Sequence, residues 1–275
     1  MEYKKTTWRV IEHAPAHGAW NMAVDEAILE SVYSGDSPPT LRLFGWQPAC
    51  LSLGHAQPFS EVNQQALKAH GWEVVRRPTG GRAILHADEL TYSVIAPETE
   101  PRVSGGVLES YLRLSEALME ALRLMGLNPE AKKEKAQQRP DKTNPVCFEA
   151  PSYYEITVEG RKLIGSAQAR RKEGILQHGT LPLYGDLGRI IEALNFDHPE
   201  NKARANARLF EHATTVECVL GIKPTWDEAS QAFQQAFENT LNLDLKPAAL
   251  TKQEGLRAQQ LVDGKYAHPS WTERI

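Results

Sequence analysis

The stretch Arg76-Arg77-Pro78-Thr79-Gly80-Gly81-Arg82-Ala83-Ile84-Leu85-His86 decides how this chain folds. Trp72 to Arg77 reads as a strand, and Pro78 to Gly81 as the turn that follows it. Two successive glycines leave backbone N–H groups uncovered, so a ligand can come close to the main chain. A glycine pair alone signals no more than a hairpin turn. Here it stands between a basic pair and His86, ahead of Leu90 to Ile95. That segment alternates apolar and polar residues and is expected to pair with the Trp72 to Arg77 strand.

A second constellation lies downstream. Cys147, in Pro145-Val146-Cys147-Phe148, is followed by Lys162 in Gly160-Arg161-Lys162-Leu163-Ile164-Gly165-Ser166-Ala167-Gln168. A free thiol titrates near pH ~8.5, and a neighbouring cation lowers that value by favouring the thiolate, the form that attacks carbonyl carbon. Tyr154 to Val158 and Lys162 to Ala169 are expected to form a hairpin turning at Glu159-Gly160. That places Cys147 and Lys162 on either side of one strand, where they can approach. Taken alone, the spacing favours a packing cysteine and an exposed lysine beside a turn.

Together with Trp20-Asn21-Met22-Ala23-Val24-Asp25-Glu26-Ala27, Pro48-Ala49-Cys50-Leu51-Ser52-Leu53-Gly54 and Leu176-Gln177-His178-Gly179-Thr180-Leu181, these blocks resemble the lipoate-protein ligase and octanoyltransferase superfamily, whose catalytic domain is shared with biotin-protein ligases. The resemblance spans nearly the whole chain. Within it, Val146-Cys147-Phe148 with Gly160-Arg161-Lys162 looks like the octanoyl-carrier-protein-dependent N-octanoyltransferases that work through a cysteine thioester. The resemblance implies two-step acyl transfer in lipoate biosynthesis. The Cys147 thiolate takes octanoyl from an octanoylated acyl carrier protein, and a lysine of a lipoyl domain or of the glycine-cleavage H protein then takes it from Cys147. Neither ATP nor another cofactor is implied.

In this scheme Lys162 favours the thiolate and stabilises negative charge on the carbonyl oxygen. Arg76, Arg77, Thr79, Gly80, Gly81 and Arg82, with Gly165, Ser166 and Ala167, are the implied substrate-binding wall. His86 is a candidate to orient a carbonyl or shuttle a proton, against the plainer reading of a structural histidine. His178, next to Gly179, is read mainly as ordering a loop. ATP-dependent lipoate-protein ligases keep a third glycine where this chain has Arg82 and an Asp where it has Ala87. The added bulk of Arg82 disfavours wrapping an adenylate phosphate. An amidotransferase moving octanoyl between lipoyl domains uses the same chemistry and stays a rival, as does an acyl-binding module without catalysis.

At 275 residues, 41% hydrophobic and 24% charged, the chain has globular composition. A catalytic domain over 1–250 with a C-terminal helix and tail over 251–275 is expected, acting as a monomer. The net charge of -4 gives no general reason to expect nucleic acid. With no apolar run long enough to span a membrane and no signal-like N-terminus, a cytoplasmic protein is expected. Only a few residues precede the first strand, too few for a helix-turn-helix.

Three cysteines without Cys-x-x-Cys spacing argue against disulfides and a metal site. Cys50 and Cys218 read as core residues, while Cys147 follows a turn and precedes a loop that leave it accessible. The basic run carrying Lys132, Lys133, Lys135, Arg139 and Lys142 reads as a solvated loop, with a docking role for an acidic carrier open.

The pattern predicts an α+β fold, with mixed β-sheets packed with helices and a helical C-terminal section. Helices are expected over Gly18 to Val32, from an N-cap at Ser60 to His70, and over Leu108 to Met125. Two more open at the capping boxes Thr225-x-x-Glu228 and Thr251-x-x-Glu254. Phe196 to His212 is polar and weakly patterned, a loop with some helix.

Overall fold

The computed structural model describes residues 3–132, 155–172 and 174–275. Cys147, Lys133, Lys135, Arg139 and Lys142 lie outside the described residues. The chain begins with β1 (Thr6–Glu12), α1 (Gly18–Ser34), β2 (Thr40–Phe44), β3 (Cys50–Leu53), α2 (Gln64–His70), β4 (Glu73–Arg76), β5 (Ile84–His86), β6 (Glu89–Ala96) and α3 (Val107–Leu124). It continues through β7 (Pro129–Lys132), β8 (Glu155–Val158), β9 (Arg161–Arg171), β10 (Gly174–Pro182), α4 (Arg189–Glu192), α5 (Pro199–His212) and α6 (Val216–Leu220). The last elements are α7 (Trp226–Leu241), β11 (Leu243–Pro247), α8 (Lys252–Leu261) and α9 (Pro269–Thr272).

Eight strands form one sheet in the order β11-β1-β2-β6-β10-β9-β8-β7, and β4-β3-β5 form a second. β1 runs parallel to both β11 and β2, and the rest of the large sheet is antiparallel. The α+β expectation holds. The turn between β8 and β9 places Glu159 at φ 52° and Gly160 at φ 78°, the pair of positive φ values that a two-residue hairpin matched to strand twist requires.

One face of the large sheet packs on α3 and α7 through Leu114, Leu118, Leu122, Phe233 and Phe237 against Tyr92, Val94 and Ile164. The stripe read in Leu108 to Met125 is this contact. The other face carries α1, whose Met22, Ile28 and Leu29 pack with Ile95, Leu176 and, from the C-terminal section, Ala258, Leu261 and Tyr266. The small sheet packs Leu51 and Leu53 on Leu67, Ile190 and Leu209.

The two capping boxes open α7 and α8 as read, satisfying N-terminal N–H groups that have no partner inside the helix. Thr225→Ala should destabilise the protein by about 1 kcal/mol, measured by urea unfolding.

Several expectations are corrected. Leu90 to Ile95 is not the partner of the Trp72 to Arg77 strand. β6 sits inside the large sheet between β2 and β10, whereas β4 pairs in parallel with β3. All eight β6 residues are buried, because helices cover both faces of the sheet, so its polar positions face protein groups rather than water. The helix after Ser60 begins later. Asn63 is its N-cap, accepting from the Ala66 N–H, and Ser60 lies in a preceding 3₁₀ turn. Residues 199–212 form a full helix started by Pro199. Cys218, read as core, is exposed on α6, while Cys50 is buried as expected. The edge strands β7 and β11 had not been anticipated. β7 draws Ala131 and Lys132, the start of the basic run, into the sheet.

Candidate active site

The site is built outward from α1. Asn21 and Asp25, four residues apart, share one buried helix face. Between them Arg42 enters from β2. Its guanidinium donates to Asp25 Oδ1 at 2.7 Å, to Asn21 Oδ1 at 2.7 Å and to His13 Nδ1 at 2.9 Å. Burial pushes the Asp25 carboxyl up, but Arg42, His178 and Ser93 together outweigh it and hold the group below its ordinary value.

Asp25 Oδ2 accepts from Ser93 at 2.7 Å and lies 3.7 Å from His178 Nδ1. On the other side of that ring, His178 Nε2 is 2.6 Å from Thr79 Oγ1. Burial pushes His178 below the usual imidazole range and Arg77 and His86 add to the shift, against the opposing pull of Asp25. A neutral imidazole thus links α1, β10 and the turn after β4.

A second histidine is held in the same manner. His86 Nδ1 is 2.6 Å from Glu89 Oε1, its Nε2 is 2.7 Å from Ser52 Oγ, and its ring stacks on Trp46 at 4.1 Å. Trp46 Nε1 donates to Thr91 Oγ1, which donates in turn to Glu89 Oε1. Burial pushes Glu89 up, yet His86 first, then Thr180 and Thr91, bring it below the ordinary carboxylate value. Thr180 favours this charge although its buried hydroxyl makes no hydrogen bond of regular geometry among the described residues.

A cavity of about 340 Å³ opens at the junction of the two sheets. Of the residues singled out from sequence, Arg77, Gly81, Arg82, His86, Lys162, Gly165, Ser166, Ala167, His178 and Gly179 line it. Lys162 is 4% exposed and pairs with Glu155 at 2.8 Å, so the plain reading of a solvent-exposed lysine does not hold. Ser166 Oγ lies 2.7 Å from the Tyr92 hydroxyl, which also accepts from Gln177 Nε2 at 3.1 Å. Burial raises the Tyr92 phenol above its ordinary value, so it stays a neutral partner.

Three of the sequence-derived residues stand elsewhere. Arg76 does not line the cavity. Its buried guanidinium donates to the carbonyls of Gly54, His55, Gln57, Trp271 and Thr272, tying the loop after β3 to the C-terminal tail. Thr79 acts through His178. With Gly80 it borders a second cleft, on the other side of the turn. Arg77 lines the cavity and also braces the turn, donating to the carbonyls of Ser52, Gly80 and Arg82.

Two glycines are required by close approach. Gly81 has φ 96°, and a Cβ on Gly54 would lie 1.9 Å from the Gly81 oxygen. A Cβ on Gly179 would lie 2.6 Å from the Gly165 oxygen and 2.7 Å from both Ser166 Oγ and the Tyr92 ring. Gly179→Ala should therefore destabilise the protein by roughly 1–3 kcal/mol, as overpacking does, and narrow the cavity. Urea unfolding checks the first effect, and binding of a saturated eight-carbon acid checks the second.

The sequence reading missed Met22, Trp46, Ser52, Ile84, Thr91 and Thr180 in the lining, and the carboxylates Asp25 and Glu89 behind it. For Asp25 a signal existed in its four-residue spacing from Asn21. Among the described residues, no group of three or more His, Cys, Asp or Glu is placed to hold a metal ion, and no helix is long and apolar enough to cross a membrane.

Residues 17–238 match the family of the lipoyl protein ligase A/B catalytic domain, the class of protein that this two-sheet fold and its glycine-bordered cavity define. A bipartite lipoate protein ligase from Thermoplasma acidophilum superposes with a TM-score of 0.79 at 25% identity, covering 98% of this chain and 96% of that one. A lipoate-protein ligase A bound with ATP gives the same score and identity, over 98% and 99%. Octanoyltransferase LipM of Geobacillus kaustophilus is 40% identical over 97% of this chain and 98% of that relative. Octanoyltransferase LipM of Bacillus subtilis is 39% identical over 98% of each. The chain belongs to the LipM octanoyltransferases within this catalytic-domain family.

Proposed function

We propose that this chain transfers an octanoyl group from octanoyl-acyl carrier protein, through a thioester on Cys147, to a lysine of a lipoyl-accepting protein, in cytoplasmic lipoate biosynthesis. The glycine-cleavage H protein is the acceptor named in this reading. The observation that carries it is the buried Lys162 in the wall of an acyl-sized cavity, in a chain matched from end to end by relatives named octanoyltransferase.

In the first step the Cys147 thiolate attacks the donor thioester carbonyl. A tetrahedral oxyanion forms, the donor sulfur leaves as thiolate and takes a proton, and octanoyl remains on Cys147. In the second the neutral amine of the acceptor lysine attacks that thioester, Cys147 leaves as thiolate, and the amine proton passes to solvent or a base. Amide replaces thioester, which is downhill without ATP. The Lys162 ammonium favours the Cys147 thiolate as nucleophile in the first step and as leaving group in the second, and the oxyanion in both. The Arg77, Gly81 and Arg82 turn, with Gly165, Ser166 and Ala167, shapes the wall, and neutral His178 with His86 fixes its polar edge.

The test is intact-mass analysis after mixing the protein with octanoyl-carrier protein without ATP. A single octanoyl adduct is expected, absent in Cys147→Ala and retained in Cys50→Ala and Cys218→Ala. Cys50 is a poor competitor, because burial, with Glu73 and Glu89, pushes its thiol well above the ordinary value. An adduct that persists on Cys147→Ala, or one that needs ATP, overturns the covalent route.

A further inference from the structure

The turn at Gly80-Gly81 has two sides, and only one faces the acyl cavity. The other borders a cleft of about 630 Å³ that shares Gly81 and Arg82 with the cavity and is lined further by His55, Arg170 and Arg171. Glu61 is its only lining carboxylate among the described residues, 3.6 Å from Arg82. Arg171 lies 4.0 Å from Glu26, whose carboxylate is already held by Lys265 at 2.6 Å and by the Tyr266 hydroxyl. Arg274 joins the rim, donating to the His55 carbonyl at 2.9 Å.

In a chain whose net charge is -4, so many arginines around one cleft mark a place for an anion. The local field is felt by His55, which burial first and then Arg274, Arg171, Arg76 and Lys265 push below its ordinary value. Gly80 has open space where a side chain would project, so a slender chain can pass beside the turn.

We infer that this cleft receives the phosphodiester end of the donor's phosphopantetheine arm, with the acyl chain in the cavity and the arm crossing beside Gly80-Gly81. The inference rests on the acyl-transfer reading above for the identity of the donor. Arginine suits a phosphodiester because its planar fork offers paired N–H donors to phosphate oxygens. An acyl adenylate is the other ligand that joins an acyl chain to a phosphate. Its phosphorus is attached directly at the acyl group, inside the cavity wall. Arg170, Arg171 and His55 line the cleft and not the cavity, where the phosphate of a longer arm ends.

The test is calorimetric binding of three unreactive ligands: the octanamide analogue of octanoyl-phosphopantetheine, the same compound without phosphate, and a sulfamoyl analogue of octanoyl adenylate. The phosphorylated arm should bind about tenfold more tightly than the unphosphorylated one, as a charge-assisted contact supplies, with the advantage shrinking as salt rises. Arg171→Ala and Arg274→Ala should each cut that ratio at least threefold, and Arg123→Ala, on the outer face of α3, should leave it intact. Equal affinity of the two arms overturns the inference. So does a ratio unchanged in both cleft variants, or tighter binding of the adenylate analogue with the same dependence on Arg171. A phosphate preference carried by Arg171, in a protein that never acylates Cys147, supports the cleft and counts against the covalent route.

Discussion

Replacing Lys162 by alanine will slow octanoyl transfer on the order of 10²-fold or more, the usual loss when a preorganised electrostatic group is removed from a reacting centre. Lys162 is suited to the role by burial: it is 4% exposed, projects from β9 into the cavity wall and is paired with Glu155 at 2.8 Å. Away from water its charge acts through a lower effective dielectric, so each ångström towards the thiol counts more. Glu155 works against it, since a carboxylate beside the ammonium offsets part of the field. The apparent pKa of Cys147, read from the pH dependence of iodoacetamide alkylation, should therefore rise in Lys162→Ala and fall in Glu155→Gln. Lys162→Arg should keep part of the activity, because charge survives while geometry changes. Thermal melts of the same variants separate a folding defect from a site defect. An unchanged thiol pKa in a well-folded Lys162→Ala protein would refute the activation role.

What the sequence made legible follows from how local each signal is. The Glu159-Gly160 turn, the two capping boxes and the stripe of α3 are each set by residues within a few positions of one another, and each is where it was expected. α5 was hidden because only Ala205 and Leu209 of its 14 residues are buried, too few to mark a face. β11 is a five-residue strand at the sheet edge whose register depends on β1, far away in sequence.

The site divides the same way. Gly81 stood out because a glycine pair in a turn leaves the main chain open to close approach, which can be read without knowing what approaches, whereas Gly165 and Gly179 came with the family resemblance. Asp25 and Glu89 were not read as site residues, although Asp25 stands four residues from Asn21. A carboxylate on a helix or after a turn ordinarily faces water, and only the fold brings Arg42, His178 and Ser93 to the first; His86 and Thr91 are near the second in sequence, but only the fold buries the three together. Arg76 misled in the opposite sense. A basic pair before a glycine turn invites a ligand contact, but five carbonyl partners, from the loop after β3 and from the tail, consume the first of the two.

Asp25→Asn will cost about 3–5 kcal/mol of stability, the usual loss when one member of a buried ion pair is neutralised and the other charge is stranded. Both side chains are 0% exposed, so Arg42 cannot turn to solvent, and its bonds to Asn21 and His13 do not replace an anion. Arg42→Met should be comparably destabilising, and the double variant should lose less than the two single losses added, since the pair acts as a unit.

The pH dependence has a definite sign. The folded-state pKa values of Asp25 and Glu89 are depressed. Their stabilisation is thus fully present above the unfolded carboxylate range of about 3.9–4.3 and is lost as pH falls through their lower folded values. His178 is also depressed, and His13, pushed down by burial and then Arg42, titrates at about 4. Unfolded histidines begin to take up protons near pH ~6.5, before these two do in the folded protein, so stability should already decline between that pH and about 4. Urea midpoints at pH 7.5, 6 and 5 measure the slope. In His13→Asn it should flatten over this range. In Asp25→Asn it should persist, since removing the aspartate leaves His178 still harder to protonate. A wild-type stability that is level from pH 7.5 to 5, or an Asp25→Asn loss below 1 kcal/mol, contradicts the placement of these buried charges.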